Sequence, residues 1–131
     1  MPRKQGLIAI VDDDESVRQG TKALVRSTGL VAEAFSSGEE FLRSSDLSRT
    51  ACLVTDINMP GMSGLDLHRH VSALPKSIPT ILITACPNDS VRARALKAGV
   101  IGYLLKPFSE DDLLNTIRSA LDQEGEAGSA P

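Results

Sequence analysis

The stretch LIAIVDDD, Leu7 to Asp14, decides the fold. Five apolar residues follow one another without interruption and stop at three acids. A short unbroken apolar run reads as a strand buried on both faces, the signature of a parallel sheet. The acids end the run and open the next element. A helix is expected from about Glu15 to Thr28, with Val17, Leu24, Val25 and Thr28 on one face and Gly29 closing its C-terminus.

The alternation continues outward from this unit. Val31 to Phe35 (VAEAF) alternates in polarity and reads as a half-exposed strand. A short helix is expected from about Ser37 to Arg43, then a polar loop over Ser44 to Thr50. Ala51 to Thr55 (ACLVT) is the next strand and stops at Asp56. The loop NMPGMSG, Asn58 to Gly64, is dense in Gly and Pro. A helix over about Leu65 to Leu74 ends at Pro75. Thr80 to Thr84 (TILIT) is a β-branched strand, and about Ser90 to Ala98 a helix ended by Gly99. Val100 to Leu105 is the last strand, closed by Lys106-Pro107. A final helix runs from about Glu110 to Leu121, with Ser109 as N-cap and Leu113, Leu114, Ile117, Ala120 and Leu121 inward. The small, acidic, Gly-rich tail 122–131 is expected to be disordered or a linker.

Five strands alternating with five helices imply one parallel, doubly wound α/β sheet covered on both faces. The 131 residues suit one domain. With three Phe, one Tyr and no Trp, the core must be aliphatic. A net charge of −3 argues against direct nucleic-acid binding. No apolar run approaches the roughly 20 residues of a membrane span, and the N-terminal apolar run is too short for a secretory signal. A cytoplasmic location is expected, with Cys52 and Cys86 as thiols.

The chemistry lies in where the polar residues fall. Strands end at Asp12-Asp13, at Asp56, at Thr84 and at Lys106. In a parallel sheet these ends share one edge, where such folds bind ligands. Taken singly, the acids could be helix caps or turn residues, Thr84 a strand residue and Lys106 a solvated lysine. Taken together they form one crevice. Two carboxylates 4 Å apart repel by about 4 kcal/mol at an effective dielectric near 20, so the cluster needs cations. Lys106 is one. Oxygen donors without His or Cys suit Mg²⁺ as the other. This is equipment for phosphoryl transfer. Asp56 is the candidate nucleophile, Asp12 and Asp13 are neighbouring metal ligands, and Thr84 is a donor to the new phosphate.

These residues resemble the CheY-like receiver domains of response regulators. The matching motifs are V-D-D-D (Val11 to Asp14), D-I-N-M-P-G-M-S-G (Asp56 to Gly64), I-T-A (Ile83 to Ala85) and K-P-F (Lys106 to Phe108). They occur in order across about residues 5 to 121. The segments V-D-D-D-E-S-V-R and S-G-E-E-F-L resemble FixJ-type receivers in particular. The resemblance implies a flavodoxin-like fold of strand order 2-1-3-4-5, with residues 1–121 as the receiver domain. It implies that Asp56 accepts a phosphoryl group from a sensor histidine kinase. Mg²⁺ would be held by Asp12, Asp13, Asp56 and the backbone carbonyl of Asn58. It further implies that Thr84 and Tyr103 are switch residues, that Lys106 contacts the phosphoryl group, and that the Lys106-Pro107 bond is cis.

The implied output surface is helix four, strand five and helix five. Here it carries Arg92, Arg94 and Lys97, and it serves partner binding or phosphorylation-dependent homodimerisation. Cys86-Pro87 departs from the family pattern beside the site and bears on phosphoryl lifetime. An aspartate-nucleophile phosphatase would need a second Asp where Asn58 stands. A flavin-binding domain would need a phosphate cradle where the three acids stand. A degenerate receiver acting as a docking module is the remaining alternative.

Overall fold

A computed structural model describes residues 6–129, with side chains described through Asp122; Met1 to Gln5 and residues 130–131 lie outside the described residues. The elements are β1 (Leu7–Val11), α1 (Glu15–Arg26), β2 (Val31–Phe35), α2 (Gly38–Arg43), a 3-10 turn (Leu47–Arg49), β3 (Thr50–Asp56), α3 (Gly64–Ser72), β4 (Thr80–Thr84), α4 (Asp89–Lys97), β5 (Gly102–Leu105) and α5 (Glu110–Ser129). All strand pairs are parallel, in the order β2-β1-β3-β4-β5. This is the doubly wound parallel sheet expected from the alternation, in the flavodoxin-like strand order that the resemblance implied.

The alternation of each strand divides the core. Ile8 and Ile10 point to one face, where Val25, Val54, Ile81, Leu113 and Ile117 meet them. Leu7, Ala9 and Val11 point to the other, against Phe41, Leu53, Leu67 and Val71. A third group, Ile57, Leu82, Ala95 and Val100, fills the space under α4. The side chains of β1, β3 and β4 are buried throughout. Each fully buried Leu or Ile contributes about 1.5–3 kcal/mol. Phe35 and Phe41 add an aromatic pair to this aliphatic core, ring centroids 5.3 Å apart.

Several boundaries differ from the sequence reading, among them β5, which begins at Gly102 and not at Val100. Strand β3 begins at Thr50 and includes Asp56, so the acid belongs to the sheet and not to the following loop. Helix α1 buries Thr21 and Val25, and Thr28 lies beyond it, exposed. Helix α5 continues to Ser129, eight residues past Leu121, so the backbone of 122–129 is helical where disorder was expected. Asp122 to Glu124 are compatible with helix, and Gly125 and Gly128 each cost only about 1 kcal/mol there. Leu113, Ile117 and Ala120 are buried as expected, and Ser109 Oγ accepts from the Asp112 amide at 2.9 Å. Among the described residues no helix is long and apolar enough to cross a membrane.

His68 on α3 is 4% exposed, and burial pulls its imidazole pKa below the ordinary value. The folded state therefore resists protonation that the unfolded chain accepts. Stability from this residue is complete above the unfolded value of about 6.5 and declines as pH falls toward the lowered folded value. Urea titrations between pH 7.5 and 5.5 should show a loss of stability that is smaller in His68→Gln. Equal pH slopes in the two proteins would remove His68 as the cause.

Candidate functional site

Four strand ends and one loop build the site. Register sets their heights: Val11 lies level with Thr55, Asp56 with Ile83, and Thr84 with Leu105. The Lys106 amide donates to the Thr84 carbonyl at 2.8 Å, and the Ile57 amide to the Ile83 carbonyl at 2.9 Å. Asp12, Asp56, Thr84 and Lys106 thereby share the carboxyl edge of the sheet, beside the β1–β3 junction where strand order reverses.

Asp12 is 4% exposed and held at several points. Its amide donates to the Phe35 carbonyl at 3.2 Å. Its Oδ1 accepts from the Asp14 amide at 2.9 Å, and its Oδ2 faces Lys106 Nζ at 3.3 Å. Arg18 Nη1 donates to its carbonyl at 2.8 Å. Asp13 is exposed. Asp14 caps α1, accepting from the Val17 amide at 3.1 Å. The three acids thus divide the labour, and only Asp14 is a helix cap.

Asp56 is 7% exposed and lies 3.5 Å from Lys106 Nζ through Oδ2. Burial pushes its carboxyl pKa up; Lys106 opposes this, and the charge of Asp12 adds to it. Burial alone would lower the Lys106 ammonium, but Asp12 and Asp56 more than offset that and hold it above its ordinary value. Asp12, Asp13 and Asp56 each offer an oxygen within 4.8 Å of the others. Three carboxylates against one ammonium leave net negative charge in a partly dry crevice. An all-oxygen donor set of this kind fits Mg²⁺, which takes few carboxylates and fills its shell with water and phosphate oxygens.

Thr84 sits 1% exposed at the same edge, but its hydroxyl is engaged elsewhere. Its Oγ1 accepts from Asn58 Nδ2 at 3.0 Å and from the Cys86 amide at 3.0 Å. The Asn58 side-chain amide ties the loop after Asp56 to Thr84. Both cysteines are thiols, Cys52 buried and Cys86 exposed. The Lys106-Pro107 bond is cis, as the resemblance implied.

Tyr103 packs beside Ile57, Leu82, Ala95 and Val100, with its hydroxyl buried and without a hydrogen-bond partner among the described residues. Such a group costs about 1–3 kcal/mol. Tyr103→Phe should raise the unfolding free energy of the unmodified protein by about 1 kcal/mol, read from denaturant titration. A loss of stability would mean that the hydroxyl has a partner.

Sequence reasoning misses two contributors. Gly64 opens α3 against the backbone of Asp56: a Cβ there would stand 2.4 Å from the Asp56 carbonyl oxygen. Its place in a Gly- and Pro-rich loop signals a turn but not this contact. Arg18 reaches back six residues from α1 to Asp12, which no spacing rule announces. On the α4–β5 side, Leu96 and Leu105 are the exposed large apolar residues, alongside exposed Arg92, Arg94 and Lys97.

Comparison with known proteins agrees with this architecture. A family model described as the response regulator receiver domain matches residues 8–118. The response regulator protein TodT of Pseudomonas putida is 41% identical over 121 residues, covering 92% of this chain and 53% of that protein. The solved response regulator StyR superposes with a TM-score of 0.87 at 39% identity, covering 97% of this chain and 64% of that one. The FixJ-N crystal structure superposes with a TM-score of 0.82 at 32% identity, covering 92% and 96%. The chain spans about half the length of the curated relatives it matches.

Proposed function

This chain belongs to the response regulator receiver domains of two-component systems, and on that footing we propose that it is a phosphorylation switch whose phosphoacceptor is Asp56. The observation that carries the reading is the meeting of Asp12, Asp13, Asp56 and Lys106 at one sheet edge, with carboxylate oxygens within 4.8 Å of each other and Lys106 3.3 Å and 3.5 Å from Asp12 and Asp56.

The phosphodonor is a phosphohistidine of a sensor kinase. A carboxylate oxygen of Asp56 attacks phosphorus. The new O–P bond forms as the donor's P–N bond breaks, and the electron pair leaves with the imidazole, which takes a proton from water. Asp12, Asp13, Asp56 and the Asn58 carbonyl are the groups that would hold Mg²⁺. When bound, the ion supplies positive charge against the phosphoryl oxygens. Lys106 turns its ammonium from the two carboxylates toward the added phosphoryl group. Its raised pKa keeps it charged throughout the physiological range.

Thr84 then leaves Asn58 and the Cys86 amide and donates its hydroxyl to the phosphoryl group. The space it vacates lies next to β5, where Tyr103 carries an unpartnered hydroxyl. The signal is passed on at α4, β5 and α5. Leu96 and Leu105 supply the apolar contact there, and Arg92, Arg94 and Lys97 the charge, for a partner or a second copy of the chain. The protein acts as a signalling phosphoacceptor in the cytoplasm, with residues 1–121 as the receiver unit and the remainder leading out of it.

The test is incubation with acetyl phosphate, with Mg²⁺ or with a chelator, followed by solution mass measurement. The reading expects phosphoryl incorporation only with Mg²⁺ and a change in assembly state that accompanies it. Incorporation independent of the ion would contradict the metal assignment.

A further inference from the structure

We propose that Arg18 is a positioning residue that aims the Asp12-Asp13 pair at the bound cation. The inference rests on the metal reading of the site. Arg18 lies in the first turns of α1, and its Nη1 donates to the Asp12 carbonyl at 2.8 Å. That carbonyl belongs to the peptide unit joining the two acids. A peptide unit is planar, so fixing the direction of its C=O fixes the direction in which the chain enters residue 13.

The two carboxylates differ in how they are held. The Asp12 carboxylate has its own ties to the Asp14 amide and Lys106. The Asp13 side chain is exposed and accepts no hydrogen bond among the described residues. Its oxygen nonetheless lies within 4.8 Å of those of Asp12 and Asp56. The backbone must therefore aim it, and Arg18 holds that backbone. Strand pairing does not do this, because the parallel ladder of β1 ends at Val11.

The guanidinium also lies within electrostatic reach of α2. Its charge helps hold the Glu40 carboxyl below its ordinary pKa, after the larger effect of the Ser36 hydrogen bonds. Glu40 Oε1 accepts from the Ser36 amide at 2.6 Å and from the Ser36 hydroxyl at 3.0 Å, just past the end of β2. Arg18 thus ties the end of β1 to α1.

Hydrogen bonding and charge predict opposite outcomes, which makes the inference testable. A nearby cation acting through charge alone would weaken Mg²⁺ binding, so removing it would tighten binding. A brace that aims Asp13 does the reverse. The experiment is calorimetric titration of the unphosphorylated full chain with MgCl₂, paired with thermal unfolding, for wild type, Arg18→Met and Arg18→Lys. Met keeps the packing stem without the donor, and Lys keeps a donor of similar reach.

The expected result is Mg²⁺ affinity weakened about 10-fold in Arg18→Met, the scale of losing an outer-shell partner, and largely recovered in Arg18→Lys. Unchanged or tighter binding by Arg18→Met overturns the inference, even if that variant is less stable. Failure of the wild-type chain to take up Mg²⁺ overturns the metal reading and this inference together. Binding by wild type with no loss in Arg18→Met overturns the inference alone.

Discussion

Asp56→Asn should abolish phosphoryl incorporation from acetyl phosphate, by on the order of 10³-fold or more, the result expected if Asp56 is the proposed nucleophile and the other parts of the site remain. The amide has the shape of the carboxylate but not its charge or nucleophilicity, so no O–P bond forms. The same variant should fold at least as stably as wild type in the absence of metal. Burial and the Asp12 charge raise the Asp56 pKa despite Lys106. Ionised Asp56 therefore costs the folded state stability. The cost develops as pH rises from the ordinary carboxylate range and is complete above the raised value. Asn removes it. The paired observations, no labelling by intact-mass spectrometry and no fall in the denaturation midpoint, separate a lost nucleophile from a lost fold. Retained labelling would move the phosphoacceptor to another residue.

Gly64→Ala should be the most damaging single methyl in the molecule's functional end. In an open helix, Ala is favoured over Gly by about 1 kcal/mol. At Gly64 the added Cβ would meet the Asp56 carbonyl oxygen at 2.4 Å, the Ile57 Cα at 2.9 Å and the Asp56 carbonyl carbon at 3.0 Å. All three are backbone atoms that cannot rotate away. Overpacking of this kind costs about 1–3 kcal/mol and occasionally more, so the clash exceeds the helix preference. Relief requires α3 to move off β3, which carries the proposed phosphoacceptor Asp56. Gly64→Ala should thus lower both stability and phosphorylation rate. Gly20 provides the contrast: it lies in α1, and a Cβ added there would meet nothing within 4 Å. Gly20→Ala should stabilise by about 0.5–1 kcal/mol. Opposite signs in the two denaturation midpoints support this reading, and equal signs contradict it.

The sheet is legible because its strands are buried on both faces. LIAIV, ACLVT and TILIT are apolar without alternation, and each ends at a polar residue with chemistry. A parallel sheet then dictates that Asp12, Asp56, Thr84 and Lys106 share an edge, which is where they lie. The hydrogen bonds of side chains from one segment to another are not legible. Arg18 reads as an exposed helical arginine until α1 folds back over the end of β1. Asn58 reads as a loop residue, and Thr84 as a free hydroxyl, until both arrive at one place from positions 26 residues apart. Two glycines in an acidic segment suggest disorder after Leu121, yet neither forbids the helical backbone that α5 adopts there. Periodicity puts Thr28 on the buried face of α1, but the helix ends at Arg26 before that position is reached.

The central claim is that the Asp56 carboxylate itself takes the phosphoryl group. An acyl phosphate is reduced by borohydride, whereas a free carboxylate is not. The chain treated with acetyl phosphate and Mg²⁺, then with borohydride, should yield a tryptic peptide in which residue 56 alone has become homoserine, and the chelator-treated control should leave it as aspartate. Reduction at Asp12, Asp13 or another acid, with residue 56 intact, would contradict the account.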